Sequence, residues 1–186
     1  MKNVITFAFV LAALLPAAFK PVSKLVSKNG HVNFYSHTPV EDITANSYKV
    51  MSTLDPATGE VIFSVPMQTF EFEKALMQEH FNSKDFLNTK AFPKAKFSGK
   101  ITNLSAIDFT KDGVYQAIVS GDLTLKEETK PINATGTITV KASSVTVDTK
   151  FPLTLSDYGI VFKKGKPSTN IAKSVDVTVK AEYLPE

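Results

Sequence analysis

The segment from Ser174 to Tyr183 alternates without a fault, with Val175, Val177, Val179, Ala181 and Tyr183 on one side and Ser174, Asp176, Thr178, Lys180 and Glu182 on the other. A two-residue period of this kind belongs to an extended chain with one face buried and one in water. The same parity groups Ala95, Phe97, Gly99 and Ile101, then Tyr115, Ala117, Val119, Gly121, Leu123 and Leu125. It continues through Ile138, Val140 and Ala142, and through Val145, Val147, Thr149, Phe151, Leu153 and Leu155. More loosely, it links Val32 with Phe34, Tyr48 with Val50 and Leu54, and Val61, Phe63 and Val65 with Met67. Eight strands are predicted.

Turn signals stand between them: Asp55-Pro56-Ala57-Thr58-Gly59, Lys111-Asp112-Gly113, Ala142-Ser143-Ser144 and Lys163-Lys164-Gly165-Lys166-Pro167. Short connections make antiparallel neighbours, so the simplest topology is an up-and-down meander. Strands that are apolar on one face only can hide those faces by closing into a barrel, which also removes both sheet edges. A two-sheet sandwich accounts for the same alternation. Runs such as Gly113 to Leu125 reach about a dozen residues, roughly twice the usual strand. At ~3.3 Å per residue and a tilt near ~40°, a barrel of such strands is on the order of 30 Å long. An all-β, elongated eight-stranded antiparallel barrel is expected. Ala95, Gly99, Ala117 and Gly121 interrupt its inner face on two neighbouring strands. They either leave room in the lumen or serve as packing partners for the Phe rings across it.

One stretch breaks the pattern. From Phe70 to Ala91 the residues Phe72, Leu76, Met77, His80 and Phe81 recur at steps of three and four, and Ser83 looks like a helix cap. A helical insertion is therefore expected between the third and fourth strands, serving as a lid or as a plug at one barrel end.

Composition closes off most chemistry. The 186 residues contain no Cys and no Trp, and all 21 basic residues are Lys. Disulfides, thiolate nucleophiles and zinc-ribbon sites are excluded, as are bidentate guanidinium forks. A net charge of +3 without Arg gives no case for nucleic acid. No Gly-x-Ser-x-Gly elbow occurs, and His31 and His37 lie ~20 Å apart along one strand, too far to share a metal ion. No catalytic residue, metal site or cofactor is expected. The Lys163, Lys164 and Lys166 cluster reads first as a solvated loop.

At the N-terminus, Met1-Lys2-Asn3 precedes a nearly unbroken apolar run from Val4 to Leu15, the length of a signal-peptide core and too short to span a bilayer. Residues 1–20 are expected to form a signal peptide cleaved within 17–28, and residues 29–186 a single barrel domain of a secreted protein. No second run is long enough to cross a membrane.

Three blocks then carry a resemblance. They are Glu79-His80-Phe81-Asn82-Ser83-Lys84-Asp85-Phe86 running into Phe92-Pro93-Lys94-Ala95-Lys96-Phe97; Gly121-Asp122-Leu123-Thr124-Leu125 with Thr129-Lys130-Pro131; and Asp157-Tyr158-Gly159-Ile160. Together they resemble the YceI-like family of bacterial periplasmic proteins, across nearly the whole chain from His31 to Val179. The resemblance implies a lipocalin-like barrel in the periplasm that binds a polyisoprenoid or similar long-chain lipid in its lumen, and it admits a homodimer. The departure is Lys126-Glu127-Glu128, where the family usually carries a short neutral turn.

The inward parity and the insertion together name the residues expected to touch an isoprenoid or fatty chain: Val32, Phe34, Val50, Phe63, Val65, Phe72, Leu76, Phe81, Phe86, Phe97, Ile101, Val119, Leu123, Val140, Val147, Phe151, Leu153 and Val177. Head-group candidates near the mouth are His80, Asp85, Asp157 and Tyr158, each equally at home in turn and cap chemistry. Two rivals stay open. A hydrolase or isomerase would bury Asp85 or Asp157 beside a second acid or a His. A structural or stress-related envelope protein would have a packed lumen and an exposed apolar patch.

Overall fold

Each apolar strand face needs a partner, and the chain supplies one by curling its sheet until the first strand meets the last. The computed structural model describes residues 24–142, 144–161 and 172–184. The expected signal peptide and the lysine cluster at 163–166 lie outside these residues.

In chain order the elements are β1 (Leu25–His37), β2 (Asp42–Leu54), β3 (Glu60–Pro66), β4 (Glu71–Phe72), α1 (Ala75–Asn82), β5 (Lys94–Ile101), β6 (Gly113–Leu125), β7 (Glu128–Lys141), β8 (Ser144–Thr154) and β9 (Ser174–Tyr183). The sheet runs β1-β9-β8-β7-β6-β5-β3-β2, entirely antiparallel, and a β1–β2 pairing closes it. Eight long strands thus form a closed barrel, not a sandwich, with the two-residue β4 attached to β2 through Ala45 and Phe72. The meander is as expected, and no described helix is long and apolar enough to cross a membrane.

The turns use the predicted chemistry. Asp55 Oδ1 accepts from the Ala57 and Thr58 amides at 2.9 and 3.2 Å, and Gly59 takes a left-handed conformation with φ 73°. Lys126, in the departing turn, is also left-handed at φ 57°, as tight two-residue hairpins require. Ala142 belongs to a turn rather than a strand interior, with φ 52°.

Strands β5 to β9 keep the predicted parity. Strand β2 does not. Val32 pairs with Ser47 whereas Gly30 pairs with Val50, which leaves Tyr48 and Lys49 opposite a single residue. A second irregularity sets Lys28 and Asn29 against Met51. Two bulges, one on each strand, flip the alternation at the closing seam and add the twist that closure needs. Tyr48, expected inside with Val50 and Leu54, consequently points out and stacks on His31, with ring centroids 4.5 Å apart. Its inward places are taken by Ala45 and Ser47, both fully buried.

The insertion also differs from expectation. Phe72 lies in β4, not in a helix; α1 covers only Ala75–Asn82, and Ser83 ends it, its amide donating to His80 O. Ser83 starts no second helix because the chain turns at once: the Asn88 amide donates to Ser83 O at 2.8 Å and Asn88 is left-handed at φ 47°.

Candidate functional site

Two apolar clusters fill the barrel end to end. The one nearer α1 contains Val32, Ala45, Met67, Phe70, Phe81 and Val175; the other contains Leu54, Val61, Ile138, Val140, Val145 and Tyr183, and Phe63 packs against both. Between the walls runs a cavity of about 640 Å³, within the size range of small-molecule sites. Its lining spans both clusters, from Leu76 and Met77 of α1 down to Leu54 and Ile138. Most lining side chains are apolar. Ser36, Glu41, His80, Ser83, Asp85 and Lys96 bring polar atoms in at one end, with Thr137 and Thr149 deeper.

That end is covered by residues 67–93. Phe81 is the hub of the cover, with ring centroids 5.8 Å from Phe34, 5.4 Å from Phe70, 5.0 Å from Phe72 and 6.4 Å from Phe86. Tilted and offset rings of this kind attract beyond their buried area. Polar ties pin the segment on three sides. Thr69 Oγ1 donates to Pro66 O at 2.7 Å and lies 2.6 Å from Ser47 Oγ; Thr89 Oγ1 donates to Asn82 Oδ1 at 2.6 Å. Lys74 meets Glu41 at 2.6 Å, joining the start of α1 to the β1–β2 connection, and the carboxylate holds the ammonium above its ordinary pKa. Lys126 Nζ donates to Phe86 O at 3.1 Å, so the unusual lysine turn grips the cover.

The far end is closed by packing. Tyr183 is fully buried and lies 2.6 Å from Ser52 Oγ, and burial pushes its phenol up to about 12.

Of the residues expected to touch a ligand, Val32, Phe34, Phe63, Val65, Phe72, Leu76, Phe81, Phe86, Phe97, Ile101, Val119, Leu123, Val147, Phe151, Leu153 and Val177 line the cavity. Val50 and Val140 do not; both are buried in the wall. His80 and Asp85 sit at the polar end of the cavity, Asp85 exposed. Asp157 and Tyr158 are not among the lining residues: Asp157 is exposed, and Tyr158 is buried with its hydroxyl unpartnered among the described residues. Burial pushes that phenol up as well. Parity overlooked Met77, Ile160, Ala134 and Gly136, which also line the cavity. Strand β7 carried the signal for the last two, since they share the face of Ile138. Among the described residues no three His, Asp or Glu side chains gather as a metal site. His31 bonds Asn46 and His37 bonds Asp42, both outside the lumen.

A model of the YceI-like domain matches residues 24–183. The chain belongs to this family. A UPF0312 protein of Shewanella denitrificans is 25% identical over 193 residues, covering 91% of this YceI-like chain and 93% of that one. A UPF0312 protein of Photorhabdus laumondii is 32% identical over 78 residues, 42% of this chain and 36% of that one. Among solved structures, a polyisoprenoid binding domain from Saccharophagus degradans superimposes with a TM-score of 0.75 at 12% identity, covering 88% of this chain and 98% of the other. At that identity the likeness establishes a shared YceI-like barrel.

Proposed function

We propose that this YceI-like protein is a periplasmic carrier that holds one long apolar chain, a polyisoprenoid or similar lipid, along its barrel axis. The observation that carries the reading is the apolar cavity running through both core clusters under a cover made of aromatic rings. The apolar N-terminal run supports export, and the named ligand class of the Saccharophagus neighbour agrees with the lining. Burial is the whole mechanism. Each methylene moved from water into the lumen contributes ~0.8 kcal/mol, so a few isoprene units bind tightly without any charged anchor. The polar atoms of His80, Glu41 and Asp85 at the mouth meet the head group, while Phe81 and its neighbours keep water from the chain.

A hydrolase finds less support, because Asp85 and Asp157 are both exposed instead of being buried beside a second acid. The test is purification without detergent, extraction with organic solvent and mass spectrometry. One lipid per protein chain is expected. A clean extract, together with failure to displace a long fluorescent lipid probe by isoprenoids, overturns the reading.

A further inference from the structure

Midway along the barrel two glycines face each other, Gly99 of β5 in register with Gly121 of β6. A Cβ on Gly99 would stand 2.5 Å from Cζ and 2.9 Å from Cε1 of Phe97, and a Cβ on Gly121 would stand 2.7 Å from the same Cζ. The Phe97 ring therefore leans along its own strand over two bare stretches of backbone, where any side chain would collide with it and with the neighbouring backbone as well, Ser120 O beside Gly99 and Gly99 Cα and Ser98 O beside Gly121. This is the close approach that glycine within a strand permits. Neither glycine lines the cavity, because the ring covers them.

The position of this bay matters more than its existence. Phe97 pairs with Phe63 on one side and Leu123 on the other, at the level where the two core clusters meet. Beyond the glycine rung, which Val61 and Ile132 flank, the following inward rung toward the closed end is Ile101, Val119 and Ala134, all cavity-lining. The open lumen passes Phe97 only because the ring lies against the wall. With the bay filled, the free volume beside the ring is the cavity itself.

We propose that the Gly99–Gly121 bay determines ligand length. By holding Phe97 aside it admits an apolar chain to the lower half of the barrel; without it the lumen ends at mid-depth and only short chains fit. The inference rests on the carrier reading and adds the residues that set its chain-length range.

Competition by geraniol, farnesol, geranylgeraniol and solanesol against a fluorescent fatty-acid probe tests it. Gly99→Ala is expected to weaken the two longer alcohols by about tenfold, the equivalent of roughly two buried methylenes, while leaving geraniol unchanged. Phe97→Trp overfills the same bay without changing either glycine and is expected to weaken the two longer alcohols more than geraniol. Phe97→Ala, which removes the ring and leaves both glycines, is expected to keep the longer alcohols at wild-type strength or better. Equal weakening at every length in both Gly99→Ala and Phe97→Trp, or loss of the longer alcohols in Phe97→Ala, overturns the length assignment. A wild-type protein that binds none of the alcohols overturns the carrier reading, and the length assignment with it. Normal wild-type binding with unchanged length preference in the variants overturns the length assignment alone.

Discussion

The ring of Phe81, carried by α1, stacks on that of Phe34 in β1, with centroids 5.8 Å apart and planes 14° from parallel. This contact fastens the cover to the barrel wall, and Phe70, Phe72 and Phe86 are arranged around it. The helix that bears Phe81 has eight residues and no side-chain cap at its start, too little to be stable alone. Its place is set by what Phe81 buries.

Phe81→Ala is accordingly expected to cost about 3–5 kcal/mol if the cover and barrel unfold together. It should also release a bound lipid faster than wild type, because the mouth loses its hub. Urea unfolding reads the first effect and stopped-flow probe dissociation the second. Leu76, on the same helix but 60% exposed, provides the contrast. Leu76→Ala should change stability by less than about 0.5 kcal/mol.

Alkaline stability is expected to depend on Tyr183. Its phenol is pushed up to about 12 by burial, although the bond to Ser52 opposes the shift. The folded protein thus holds the proton more tightly than the unfolded chain, whose tyrosine titrates near ~10. The resulting stability is complete below pH ~10 and is lost as the pH rises toward ~12, by about 3 kcal/mol in all. Urea midpoints measured across that range should fall less steeply in Tyr183→Phe than in wild type.

Tyr158 presents the opposite case, a buried hydroxyl with no partner among the described residues. Burying an unpaired hydroxyl costs free energy, so Tyr158→Phe should raise stability by about 1 kcal/mol. Thermal melts of lipid-free protein check this, and a lowered melting temperature would contradict it.

On the outer face of β8 and β9, Lys180 meets Asp148 at 2.9 Å and Lys150 meets Asp176 at 2.8 Å. All four side chains are more than a third exposed, so water and salt screen both pairs. Lys180→Ala is expected to shift the urea midpoint by the equivalent of less than about 1 kcal/mol, and added salt should move the wild-type midpoint little.

How much could be read beforehand depended on whether a strand kept its period. Strands β6, β8 and β9 run without interruption, so their inward residues, Val119, Phe151 and Val177 among them, followed from counting by two. At Tyr48 and Lys49 the count fails, because a bulge is a property of two paired strands and leaves no mark in one of them. The cover was legible as an insertion with helical spacing. Its true helix is shorter because Phe72 is captured by pairing with Ala45, a contact the spacing of Phe72 and Leu76 cannot reveal. The small inner residues left two readings open, and each holds in a different place. Gly99 and Gly121 serve an aromatic ring, although that of Phe97 beside them on β5 and not one across the lumen, whereas Ala95 and Ala117 line open space. Which way a ring leans depends on its rotamer, about which alternation says nothing.

The seam between β1 and β9 has a consequence in time. Every other long strand pairs with neighbours close in the chain or across the cover, but His31 and its neighbours wait for Lys180 and its neighbours, almost the full length of the polypeptide away. A chain made from its N-terminus keeps one side of β1 unpaired until nearly its last residues exist. The ring then closes in one late event, and until that event the lumen is an open trough.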